Sequence, residues 1–178
     1  MPRAPASFAD VAGAAHGAPR GTTALIVAVP AAVSRRRALA LMDEPGRTAW
    51  LGELVESGTT DASTDRHLVD LELRLTDQIS RIAFRKAAFV DVGPVRHEPL
   101  EPLRLAISWR AAGLAPLFPV FSGTLSWSEG VLQLSGYYAP PGGGIGIVAD
   151  RLLLNVAARG TARLLLERIA ATMVEGAA

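Results

Sequence analysis

Residues 145–174 constrain the fold most, because only one kind of element suits them. The stretch contains no proline, and Gly160 is its one glycine after residue 146. Apolar residues recur near the helical period, at Ile145, Val148, Leu152, Val156 and Leu164. We predict one long amphipathic helix, which must bury its apolar side against another large element.

The residues before this helix have a period of two, which is typical of antiparallel strands. Over residues 67–75 apolar and charged side chains alternate, with Val69 and Leu71 on the apolar face. Asp70 and, on the next strand, Arg85 lie on the charged face, where cross-strand ion pairs in water would account for them. Four further strands are predicted, over residues 79–92, 103–111, 118–128 and 131–138.

The first part of the chain supplies one more strand and two short helices. Residues 22–29 form a β-branched apolar run that Pro30 ends, which predicts a strand buried on both faces. Residues 32–42 favour helix with Ser34 as the N-cap, and residues 48–55 a second short helix. Residues 1–21 are rich in Ala, Pro and Gly without periodicity and are predicted to be a flexible arm. One domain is therefore expected over residues 22–178.

Segregated strands and helices indicate an α+β protein. The order of elements resembles the START-like (SRPBCC) helix-grip superfamily, in which a curved antiparallel β-sheet wraps around a long C-terminal helix and two short helices follow the first strand. Segments of the second half are similar to a bacterial polyketide cyclase-like branch: Trp109 and residues 117–121, 132–136, 138–142 and 150–153. Members often have six strands after the short helices, whereas the periodicity predicts five.

The resemblance implies a pocket between the sheet and the C-terminal helix, used by members for lipids, polyketides and other apolar molecules. It implies no common catalytic residues. Alternation together with the helix stripe predicts the pocket lining as Phe84, Lys86, Ile107, Trp109, Phe121, Leu125, Trp127, Leu134, Tyr138, Leu152 and Val156. Ordinary core packing is the alternative explanation of the aromatic side chains in this set.

Lys86 is the only lysine and shares the apolar parity of its strand. An inward lysine could pair with an acidic group of a ligand, because an unpaired buried ammonium is very costly. Two alternatives stay open. A β-bulge after Arg85 could reverse the parity, or the side chain could reach out at the pocket rim.

Composition excludes several classes of site. The chain of 178 residues has no cysteine, which removes disulfides and thiolate sites, and its net charge of +1 gives no reason to expect a nucleic-acid partner. The histidines His16, His67 and His97 have no metal-ligand spacing and are expected to be solvent-exposed, so neither a metal nor another cofactor is predicted. The glycines of residues 144–149 loosely match a dinucleotide-binding turn, but no strand follows the helix.

The apolar runs are too short to form an integral membrane segment. Residues 24–33 imitate a secretory signal, but the basic residues 35–37 directly behind them argue against one, and a cytoplasmic location is expected. The preferred functional hypothesis is a domain that binds a hydrophobic small molecule or lipid. A cyclase- or dehydratase-type enzyme using Lys86, Tyr137 or Tyr138 is the first alternative. An interaction module, including a homodimer, is the second.

Overall fold

The structure is a computed structural model that describes residues 21–56, 64–77, 80–113, 120–139 and 148–175. The chain starts with a strand and two short helices: β1 (Thr23–Pro30), α1 (Arg35–Met42) and α2 (Glu44–Leu51). Six described strands and one long helix follow: β2 (Glu53–Glu56), β3 (Asp65–Asp77), β4 (Ser80–Val92), β5 (Leu103–Ala111), β6 (Val120–Ser128), β7 (Val131–Ala139) and α3 (Val148–Glu175). The predicted arm, residues 1–21, lies outside the described residues except for Gly21.

The described strands form one antiparallel sheet in the order β1-β7-β6-β5-β4-β3-β2. Helix α3 packs mainly against β3 and β1. These two strands are five strand spacings apart, about 24 Å in a flat sheet. Because one helix is only about 10 Å wide, the sheet curves around α3, and the predicted α+β helix-grip architecture is confirmed.

The two short helices are joined by one capping residue. The Ser34 side chain accepts a hydrogen bond from the Arg37 backbone N–H at 3.3 Å, so the predicted N-cap of α1 is confirmed. Asp43 ends α1, and its carboxylate accepts from the Glu44 N–H at 3.0 Å to begin α2. Pro45 lies in the first turn of α2, where its missing N–H costs nothing.

The predicted second helix over residues 48–55 was wrong at both ends. Helix α2 begins at Glu44 and ends at Leu51, and Gly52 turns the chain with φ of +83°. Residues 53–56 are instead the short strand β2, which pairs with β3 through Glu53 opposite Leu68. All four residues of β2 are exposed, so this edge strand has no burial alternation by which the sequence could reveal it.

The inner face of the sheet follows the predicted alternation. On β3, Val69 and Leu71 are buried and Asp70 is exposed. The prediction for β1 was wrong, because only one of its faces is covered. Leu25 is fully buried, whereas Ile26 is 62% exposed on the outside of this edge strand.

Helix α3 presents a different face to the sheet from the predicted one. Its described buried residues are Ala157, Ala158, Thr161, Ala162, Leu165, Leu166, Ile169, Ala170 and Met173. Val156 is 41% exposed, so the stripe through Val156 is not the buried face. Four of these nine residues are alanines, which contribute little to an apolar stripe, and the runs of three leucines at 152–154 and 164–166 give the sequence no single stripe.

Candidate functional site

The aromatic side chains predicted to line the pocket lie together on the inner face. Strand register places Val90, Trp109, Phe121 and Tyr138 side by side in one row across the sheet. The rings of Trp109 and Phe121 stack with centroids 4.2 Å apart. A Cβ built on Gly123 or Gly136 would approach Phe121 Cζ within 3 Å. Two glycines therefore make room for this ring.

These side chains form part of one packed cluster. Seven of the predicted lining residues are buried in it: Ile107, Trp109, Phe121, Leu125, Trp127, Leu134 and Tyr138. The Trp127 indole donates a hydrogen bond to the Ala31 carbonyl at 3.1 Å, whereas Trp109 Nε1 is buried without a partner among the described residues. Phe84 and Leu152 lie outside the residues whose side chains the structure describes.

A cavity of about 420 Å³ lies where α3 faces strands β3 and β4. Its described lining combines leucines with charged and hydroxyl-bearing residues: Asp70, Leu71, Arg85, Thr161, Leu164, Leu165 and Arg168. None of these residues belongs to the predicted lining. The sequence hypothesis assigned Asp70 and Arg85 to a solvated face, and both are exposed as well as lining the cavity. Of the apolar stripe predicted on α3, the described lining contains Leu164 alone.

Lys86 lies beside this cavity, next in the chain to Arg85. The register of β3 and β4 runs without a shift from Asp65 opposite Val92 to Asp77 opposite Ser80, so the bulge alternative is wrong. Lys86 is directly opposite Leu71, which is 4% exposed, and therefore shares the inner face. Its side chain is half-buried and has no hydrogen-bond or ion-pair partner among the described residues.

A second group of polar side chains is buried beneath α2. Arg47 is 2% exposed, and its Nη1 lies 2.9 Å from Asp65 Oδ2. Its Nε donates to the Met42 carbonyl at 2.9 Å, so the cation has two partners in the interior. This arrangement fastens α2 to the start of β3.

His67 belongs to the same region and is 2% exposed, so the expectation of a solvent-exposed histidine was wrong. On the neighbouring strand β2, Leu54 is directly opposite His67, and the His67 Nδ1 lies 3.5 Å from the carbonyl oxygen of Gly52, the residue after α2. Its Nε2 is buried with no partner among the described residues. Burial lowers the pKa of His67, and the contact with Gly52 opposes this shift only in part.

The outer surface near β2 carries another ion-pair network. Arg66 Nε lies 2.6 Å from Asp91 Oδ1, and Arg66 Nη1 lies 3.1 Å from Glu56 Oε2. The hydrogen bond from Arg66 to Asp91 raises the pKa of Arg66. Arg66 and His67 are thus two groups with shifted pKa values, and neither lines the cavity.

Over the described ranges, no three His, Asp or Glu side chains come together in a way that could hold a metal ion. Within the same ranges no helix has both the length and the apolar character needed to cross a membrane.

Neither a family model nor a curated protein matches the sequence. Among solved structures, that of DynU16, a protein of the dynemicin biosynthetic locus, is similar with a TM-score of 0.42 and 19% identity. The likeness covers 89% of this chain and 49% of DynU16, so this chain spans about half the length of that protein. A likeness of this degree has no bearing on what this chain binds.

Proposed function

We propose that this protein binds a small molecule with an apolar body in the cavity between α3 and strands β3 and β4. The volume of about 420 Å³ carries the proposal. Three of its seven described lining residues, Asp70, Arg85 and Arg168, are exposed, so the cavity opens to solvent on that side. Ligand sites have volumes of roughly 300–1,000 Å³, and this cavity falls in that range.

The lining supports a ligand that is apolar over most of its surface. Leu71, Leu164 and Leu165 contribute aliphatic side chains from both sides of the cavity. Arg85 and Arg168 contribute charged groups, as expected of sites in which a few polar contacts orient an apolar ligand. A hydrophobic small molecule or a single-chain lipid fits this description.

Binding has more support than catalysis. A cyclase- or dehydratase-type enzyme would need a proton-transfer group within hydrogen-bond reach of the ligand. Tyr138 is 2% exposed and belongs to the packed cluster, while Tyr137 has the opposite parity and is opposite Ser122. Lys86, the first candidate of the enzyme hypothesis, lies beside the cavity but outside its described lining. His67 is a buried base with a lowered pKa, and it also lies outside that lining.

Native mass spectrometry of freshly purified protein, followed by denaturing extraction, tests the proposal. We expect a reproducible adduct on the wild-type protein that is released as a hydrophobic compound. Leu164→Trp should fill the cavity from the helix side and abolish the adduct. Val156→Trp adds the same indole to the same helix at a position that is 41% exposed and outside the described lining, so it should retain the adduct.

A weakly bound ligand can be lost during purification, so the same three proteins are titrated with N-phenyl-1-naphthylamine, an uncharged fluorescent probe. The proposal requires saturable binding to wild type and Val156→Trp and weakened binding to Leu164→Trp. Loss of binding in Val156→Trp alone would mean that the ligand binds along the helix stripe predicted from the sequence, which includes Val156. No adduct and no probe binding in any of the three proteins would refute the proposal.

A further inference from the structure

We infer that the ligand carries an anionic group, such as a carboxylate, sulfonate or phosphate, which Arg168 and Arg85 bind. This inference rests on the proposed function and names the chemical class of the ligand. The two arginines belong to different walls of the cavity, since Arg168 lies on α3 and Arg85 on β4. An acidic group between them can accept hydrogen bonds from both guanidinium groups.

Among the described residues, the cations that line the cavity outnumber the acidic groups. Arg85 and Arg168 form no ion pair with any described residue, and Asp70 is the one acidic residue in the described lining. Lys86, the neighbour of Arg85 in the chain, is a further cation without a described partner, but it does not belong to the described lining. The local excess of positive charge favours an anion.

Arg168 differs from two other arginines of the same helix, whose side chains have hydrogen-bond partners within the helix. Arg163 Nε lies 2.8 Å from Glu167 Oε1, and Arg159 Nε donates to Asn155 Oδ1 at 3.1 Å. Glu167, the acidic neighbour of Arg168 in sequence, is thus already paired with Arg163. Arg168 is left facing the cavity without an anion from its own helix.

Thr161 adds a second polar contact at the opposite end of the helical wall. It is 1% exposed, and its Oγ1 has no hydrogen-bond partner among the described residues. A buried hydroxyl without a partner costs free energy, which a ligand atom can recover when the Thr161 side chain turns toward the cavity that this residue lines. Thr161 and Arg168 are seven residues apart in the helix, or about 10 Å along its axis, and Leu164 and Leu165 lie between them.

The order of these residues along α3 matches a ligand that is an amphipathic acid. Its anionic group lies at Arg168, its apolar body crosses the two leucines, and a keto or hydroxyl group about 10 Å from the acid contacts Thr161. The apolar body provides affinity by burial, while the arginines fix the direction in which the molecule enters.

Two fluorescent probes separate the charge contribution from the apolar one. 8-Anilinonaphthalene-1-sulfonate and N-phenyl-1-naphthylamine share one ring skeleton and differ in the sulfonate. Both are titrated into wild type, Arg168→Gln and Arg163→Gln, with stoichiometry from calorimetry and folding from circular dichroism. Arg163→Gln removes the same charge from the same helix. Both arginines are exposed, but Arg163 lies outside the described lining.

We expect Arg168→Gln to weaken binding of the sulfonate probe about tenfold and to leave the affinity for the uncharged probe unchanged. Arg163→Gln should leave both affinities unchanged. If Arg168→Gln weakens neither probe, or both equally, or if Arg163→Gln weakens the sulfonate probe to the same degree, the anion inference is overturned while the apolar site stands. If wild type binds neither probe, the proposed function itself fails.

Discussion

Replacing Asp65 with asparagine should destabilise the protein severely, because it leaves the Arg47 guanidinium charged and buried. The Arg47 side chain is 3% exposed and the Asp65 side chain 9%, with 2.9 Å between Nη1 and Oδ2. The asparagine side chain would keep nearly the same shape and one acceptor oxygen. The change therefore removes the counter-charge of Arg47.

The expected loss is about 3–5 kcal/mol, the cost of breaking a buried ion pair by removing one partner. For a domain of this length that corresponds to a decrease in Tm of roughly 6–20 °C. Replacing both partners, as Arg47→Met with Asp65→Leu, removes the charge together with its partner. This double variant should come within about 1–2 kcal/mol of wild type.

Urea unfolding followed by circular dichroism measures these differences, and Arg163→Gln is the matched control. It breaks an ion pair of similar length, 2.8 Å, whose side chains are 70% and 47% exposed. Such an exposed helical pair contributes about 0.3–0.5 kcal/mol. If Asp65→Asn costs no more than Arg163→Gln, burial does not determine the strength of the first pair and the reasoning is refuted.

Three further changes test other parts of the fold. Gly123→Ala should cost about 1–3 kcal/mol, because its methyl group would meet a buried ring and the β7 backbone, whereas Gly113→Ala, with open space at that position, should be neutral in thermal melts. The free energy of unfolding should fall as the pH drops below about 6.5, because burial lowers the pKa of His67 in the folded state and the unfolded chain binds the proton more readily. His67→Gln should make the free energy of unfolding, measured by urea titration, depend less on pH. An unchanged pH dependence in this variant would contradict the prediction. Trp50→Phe should cost more than Trp109→Phe, because the Trp50 indole donates to a helix carbonyl at 2.8 Å and the Trp109 indole has no described partner; equal losses in denaturant unfolding would oppose this explanation.

Much of the fold could be predicted from local patterns. Period-two alternation placed Val69 and Leu71 on the inner face of β3, and the N-cap at Ser34 follows from the hydroxyl and the helix-forming residues behind it. The placement of Lys86 on the inner face also follows from parity, and the unbroken register of β3 and β4 bears it out. These features depend on neighbours within a few residues, so the chain by itself determines them.

The candidate site could not be predicted, because long-range contacts form it and sequence periodicity carries no information about such contacts. Alternation indicates which residues share a face, but not which distant element covers that face or how closely it approaches. The burial of His67 could not be predicted, because β2 and the end of α2, which meet the start of β3, are distant from it in sequence. The exposed strand β2 is likewise defined only by its pairing with β3. The rotation of α3 that exposes Val156 and turns Thr161 and Arg168 toward β3 and β4 is decided by the packing of its alanines on a curved sheet. The sequence alone therefore determined most of the elements and the inner faces of the strands. The tertiary structure decided the position and charge of the cavity, because long-range packing sets where a space remains between the helix and the sheet.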